Sequence, residues 1–193
     1  MNCKPLIGLA LLSAMAIYSC TGTTGAPTAE IPSKDSLVKR GAYLVKIMGC
    51  NDCHSPKKMT AQGPVPDEAL LLSGHPAAMP VAKFDTATAK DWVLFNMNNT
   101  AIAGPWGISF AANLTADSTG IGSWTEEQFG RALRQGMYKG LEGTRHLLPP
   151  MPQMPDLADD DLKAIFTYLK SVKPVQNVVP QPLSPPQMAA YYR

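Results

Sequence analysis

The sequence predicts a predominantly helical fold with few if any strands, in which a few helices are joined by long irregular loops. Three observations predict it. Apolar residues recur at helical spacing near positions 36–48 and again at 159–171. Thr125-Glu126-Glu127-Gln128 has the form of a capping box and opens a further helix. Eighteen prolines and fifteen glycines in 193 residues break up the rest of the chain.

The first helix is expected over about 36–48, with Leu37, Tyr43, Leu44 and Ile47 on one face, Asp35 as its cap and Gly49 as its stop. The stretch 55–113 is punctuated by Pro56, Pro64, Pro66, Pro76, Pro80 and Pro105, with at most a short helix or strand over 90–97. A loop of that length inside a domain is usually functional or wrapped around something. The next helix runs to about Gln135 and stops at Gly136, with Phe129, Leu133 and Ala132 inward. A Pro/Met-rich loop over 146–155 precedes the last helix. There Leu162, Ile165, Phe166 and Leu169 form an i, i+3, i+4, i+7 stripe. Asp159, Asp160 and Asp161 suit the positive end of its dipole and Lys170 the negative end. The tail, 178–193, is Pro-rich and expected to be extended.

Residues 1–19 read as an export signal: Lys4 gives a positive start and Leu6 to Ala16 an apolar run too short to span a bilayer comfortably. Ile17-Tyr18-Ser19-Cys20 resembles a bacterial lipobox, although Tyr18 stands where a small residue is usual. The expectation is lipidation of Cys20, a flexible tether over 20–34 and a domain over 35–177, on the periplasmic side of a bacterial membrane. The alternative is simple secretion. A net charge of +2 and the lack of a dense Lys/Arg stripe argue against a nucleic-acid binder.

Of four cysteines, Cys3 and Cys20 fall in the leader, which leaves Cys50 and Cys53 in the body. With His54 they form Cys-x-x-Cys-His, the pattern of covalent c-type haem attachment. Each thiol makes a thioether to one haem vinyl group, and the adjacent imidazole meets the iron. A thioredoxin-like redox pair would want a βαβ context. A zinc site would want a second Cys/His pair, yet only His75 and His146 remain. For the sixth ligand Met151, in the stiff run Pro149-Pro150-Met151-Pro152, is preferred, with Met154, His146 or an open site as alternatives. His75 reads as a surface or propionate-side residue. Lys57 and Lys58 read as a solvated loop, or as a border of the haem edge that steers an acidic partner. Ten methionines are too scattered for a copper site.

These residues resemble the class I, mitochondrial-cytochrome-like c-type cytochromes of bacteria, in the single-haem lipoprotein and dehydrogenase-subunit branch. The resemblance covers about 36–177. Its residues are Gly41-Ala42-Tyr43-Leu44, the run from Cys50 to Pro56, Leu72-Ser73-Gly74-His75-Pro76, Asn113 to Asp117 with Thr119 to Thr125, Ala132 to Gly136, Pro150-Met151-Pro152, and Asp161 to Lys170. It implies an all-α fold around one covalent haem c, first and last helices crossing near Gly41 and Tyr168, and Met151 as distal ligand. It also implies that Asn113, Trp124 and Arg134 lie near the haem edge, although Trp124 also suits a core position. Ala158 departs from it, because Ser or Thr commonly caps the last helix there. The short connection from Met151 to Asp159 is a second departure. The implied function is single-electron transfer between redox partners (a dehydrogenase, respiratory complex or terminal oxidase) by an electron carrier that is not itself an enzyme. Alternatives are a cytochrome subunit accepting electrons from a dehydrogenase and, further off, a haem sensor or small oxidase with an open distal site.

Overall fold

The computed structural model describes residues 32–191; the export-signal region, Cys20 and the tether up to residue 31 lie outside them. Five helices are described: α1 (Lys34–Ile47), α2 (Cys50–His54), α3 (Glu126–Gln135), α4 (Asp159–Ser171) and α5 (Pro185–Tyr191). Between α2 and α3 lie two small antiparallel sheets. One pairs β1 (Lys57–Thr60) with β2 (Gly63–Pro66), and the other runs in the order β3 (Leu94–Phe95), β4 (Ala101–Gly104), β5 (Gly107–Phe110). The all-α expectation is therefore corrected: the loops between the helices carry strands. Pro64 and Pro66 fit into β2 because a two-stranded sheet is all edge, where a missing N–H need not break a ladder.

The helical core is built by α1 and α4. An added Cβ on Gly41 would lie 2.0 Å from the Ala164 carbonyl oxygen and 2.6 Å from Tyr168 Cβ, so only glycine lets these backbones meet. Leu44 and Val45 pack with Leu162, Ala164, Ile165 and Leu169, joined by Leu72, Ile121 and Phe129. Arg40 clamps the crossing through Asp161, at 2.9 Å. The cap of α1 is Ser33, whose hydroxyl accepts from the Ser36 N–H at 3.2 Å, and Asp35 falls inside the first turn. The capping box of α3 forms in both directions, Gln128 N–H to Thr125 Oγ1 at 3.1 Å and Thr125 N–H to Gln128 Oε1 at 2.9 Å. Gly136 stops that helix at φ 66°. Helix α4 starts at Asp159 with no side-chain cap from Ala158. The span 90–97 is the end of a 3-10 turn (Thr88–Lys90) and the two-residue strand β3.

The tail is not simply extended. Leu183 exchanges both backbone hydrogen bonds with Ile108 of β5, at 2.8 and 3.0 Å, and the chain then turns into α5. Met188 of α5 completes a second core with Ala89, Ala103 and Ile108, bordered by Val81, Phe84, Leu94, Phe110 and Leu183. Proline suits the start of α5 because the first helical N–H groups lack intrahelical partners anyway.

Candidate functional site

Helix α1 hands the chain to the Cys50–His54 turn through Gly49, whose φ of 71° is the left-handed conformation glycine adopts without strain. Met48 N–H caps the Leu44 carbonyl at 2.9 Å and Gly49 N–H the Lys46 carbonyl at 3.2 Å, closing α1. The next five residues form α2, so Cys50 and Cys53 lie one turn apart with His54 at its end. Both thiols are unpaired and half-buried. Burial pushes each of them above the ordinary thiol range.

His54 is buried, and its Nδ1 lies 2.8 Å from the Ala112 carbonyl oxygen. A carbonyl only accepts, so Nδ1 carries the proton and Nε2 keeps its lone pair. Burial also holds the imidazole pKa below its usual value, which favours the neutral ring a metal requires. The Ala112 carbonyl is itself fixed from both sides: His75 N–H donates to Ala111 O at 2.9 Å, and Leu114 N–H to Leu72 O at 2.9 Å. Gly74 N–H in turn donates to the His54 carbonyl at 2.8 Å. A Cβ on Gly74 would lie 2.5 Å from the Ala112 carbonyl carbon, so glycine is what lets 72–75 and 111–114 close around the imidazole. Such an outer contact sets tautomer and ring orientation in metal-binding histidines.

The loop holding Met151 is pinned at three points. Leu147 N–H donates to Gly136 O at 2.6 Å and Met154 N–H to Leu133 O at 2.8 Å, both at the end of α3. Between them the Ser109 hydroxyl of β5 donates to Pro149 O at 2.7 Å. Met151 and Met154 are both half-buried. His146 is exposed and bridges Met137 through its backbone.

Other candidate residues have structural partners. His75 is fully buried, not on the surface: Nδ1 meets Thr100 Oγ1 at 2.9 Å and Nε2 meets the Met79 carbonyl at 3.2 Å, so both ring nitrogens are engaged within the protein. Arg134 donates to the Leu157 carbonyl and pairs with Asp159 Oδ1 at 2.6 Å, which places its charge at the start of α4. Asn113 bolts the last loop to the body, donating to Val175 O at 2.8 Å and accepting from Thr115 N–H at 3.0 Å. Trp124 packs against the helical core. Lys57 is not a solvated loop residue, because its ammonium is wrapped by backbone carbonyls at the end of α2. Among the described residues no three His, Cys, Asp or Glu side chains converge into a metal cage. None of the described helices is long and apolar enough to cross a membrane.

No family model matches the chain. Among curated proteins, the chain is 29% identical over 166 residues to the gluconate 2-dehydrogenase cytochrome c subunit of Pantoea cypripedii, covering 82% of this chain and 30% of that one. It is 30% identical over 150 residues to the cytochrome c subunit of alcohol dehydrogenase (quinone) of Gluconobacter oxydans, covering 76% and 24%. It is 27% identical over 184 residues to the fructose dehydrogenase cytochrome subunit of Gluconobacter japonicus, covering 92% and 30%. These relatives are cytochrome subunits of dehydrogenases. The chain spans less than a third of their length. The likeness supports a c-type cytochrome, and with it haem c as the cofactor.

The donor set fits such a group. Two uncombined thiols a helical turn apart would suit two vinyl groups, a neutral imidazole with a free Nε2 would suit iron, and the thioether of Met151, in a pinned loop, is of a type that could supply a second iron ligand.

Proposed function

We propose that this chain is a monohaem c-type cytochrome that receives electrons from a dehydrogenase and passes them on singly. Cys50 and Cys53 hold the haem through thioethers, His54 is the proximal ligand through Nε2, and Met151 is the distal ligand. A haem held there supplies one-electron oxidation and reduction. The protein's own work is to fix the imidazole, keep water from the site and retain both axial side chains. The observation that carries the reading is the His54 Nδ1 contact to Ala112 O, at 2.8 Å, beside two unpaired thiols. Retaining both ligands keeps reorganisation small, which suits transfer rather than chemistry on a bound substrate. The dehydrogenase as donor rests on the names of the relatives.

On the same reading, export, cleavage before Cys20 and acylation of its thiol tether the domain to the periplasmic face of a membrane. Burial of each acyl CH₂ contributes about 0.8 kcal/mol, so a multiply acylated Cys20 anchors firmly.

The test is matured protein from a host competent for haem attachment. Pyridine haemochrome analysis and intact mass should give one haem per chain, and the oxidised form should show the weak near-infrared sulfur-to-iron band. Colourless protein with both thiols open to alkylation overturns the reading. Haem without that band removes Met151 alone.

A further inference from the structure

We propose that Lys57 is a positioning residue for the haem-binding turn, and that its fixed ammonium raises the reduction potential of the bound haem. The inference rests on the haem reading above and concerns a residue three positions beyond His54.

Lys57 Nζ lies 2.6 Å from the Asp52 carbonyl oxygen, 2.7 Å from that of Ser55, 3.2 Å from that of Asn98 and 3.4 Å from that of Asn51. All four partners are acceptors. An ammonium, with three donors and no acceptor, matches such a cage, whereas a neutral amine would aim a lone pair at a carbonyl. Three of the four carbonyls belong to α2 or its immediate exit; Asn51 O also accepts the Ser55 N–H at 3.3 Å, and the later carbonyls lie where a helix runs out of its own N–H donors. The negative end of the helix dipole favours a cation at that place.

The cage also fixes the lysine in the fold. Lys57 N–H donates to Asn98 Oδ1 at 2.7 Å, and Asn98 Nδ2 approaches Met79 Sδ at 3.4 Å. The turn that carries Cys50, Cys53 and His54 therefore has a cation held against the backbone carbonyls at its exit. A positive charge held near the iron's ligands disfavours the oxidised, more positive state, and partial burial keeps water from screening it fully.

Lys57→Gln keeps an amide donor for the carbonyls and removes the charge; Lys57→Arg keeps the charge. Each is matured with haem and titrated spectroelectrochemically beside wild type. In Lys57→Gln the reduced-to-oxidised ratio at a fixed applied potential should fall about tenfold, a midpoint lower by about 59 mV for one electron. Lys57→Arg should stay within about threefold of wild type. If Lys57→Gln fails to take up haem, the arginine variant decides: restored loading supports a cation at this position, and unrestored loading overturns it. A haem-loaded Lys57→Gln protein with an unchanged midpoint overturns this inference alone. Wild type without haem overturns the haem reading, and this inference with it.

Discussion

Gly74 sits where three segments meet, and His54 depends on it. Its N–H binds the His54 carbonyl, and its missing side chain leaves room for the Ala112 carbonyl that orients the imidazole. Gly74 also holds φ at 78°, so alanine there is strained as well as overpacked. Gly74→Ala should destabilise the protein by about 1–3 kcal/mol and lower haem retention, read by thermal unfolding and by haem content per chain. Wild-type retention in the variant would show that Ala112 does not position His54. Next to it, His75 supplies a pH dependence. Burial lowers its pKa, so the native ring stays neutral where the unfolded chain takes up a proton. The unfolded state then binds more protons, so stability is full above the ordinary imidazole range near ~6.5 and is lost as pH falls below it. The slope is at most about 1.4 kcal/mol per pH unit for one such ring. Urea unfolding at a series of pH values should show a shallower acid loss in His75→Asn than in wild type; identical slopes would sink the assignment. The sequence concealed both His75 and Lys57 for one reason. Each lies in a Gly/Pro-rich stretch that reads as surface loop, and each is enclosed by residues distant in the chain, Thr100 for one and Asn98 for the other. Cys50, Cys53 and His54 stand out in the sequence because the pattern they form is local, and the structure keeps them together on one short helix.

At the scale of elements, α4 carries an unmet opportunity. Ala158 has the extended backbone of an N-cap, φ −61° and ψ 150°, but no side chain to bind the first free N–H groups. Ala158→Ser should therefore stabilise the protein by about 1 kcal/mol, seen as a raised urea midpoint at unchanged slope. No gain would mean that those N–H groups are already satisfied by water. Helices α3 and α4 could be read from sequence because capping boxes, acidic first turns and apolar stripes are local signals. The strands could not. Lys57–Thr60 and Gly63–Pro66 are short, the second carries two prolines, and Ala101–Gly104 is buried at every position, so none shows a two-residue alternation. Their pairing is decided by the turns between them and by what they cover.

Across the whole molecule, the two cores are coupled through the β4–β5 hairpin. On one side β5 takes up the tail, through the Ile108–Leu183 pair and the burial of Met188. On the other, Ser109 of the same strand holds the Pro149 carbonyl, two residues before Met151. The tail thus bears on the Met151 loop through β5. Removing residues 178–193 leaves the backbone groups of Ile108 unpaired and opens the second core, while Asn177 stays to bind the Ser73 and His75 carbonyls at 2.7 and 2.9 Å. Losing the Met188 contacts alone, by Met188→Ala, should cost about 2–5 kcal/mol. The truncated protein should still take up haem, because Cys50, Cys53, His54 and Ala112 keep their contacts. Its near-infrared sulfur-to-iron band should vanish at a lower temperature than in wild type, ahead of global unfolding followed by far-ultraviolet circular dichroism. Ser109→Ala should give the same early loss with an intact tail, since it removes the brace directly. If the band and the helices melt together in both proteins, the hairpin does not hold the Met151 loop, and the second core serves stability alone.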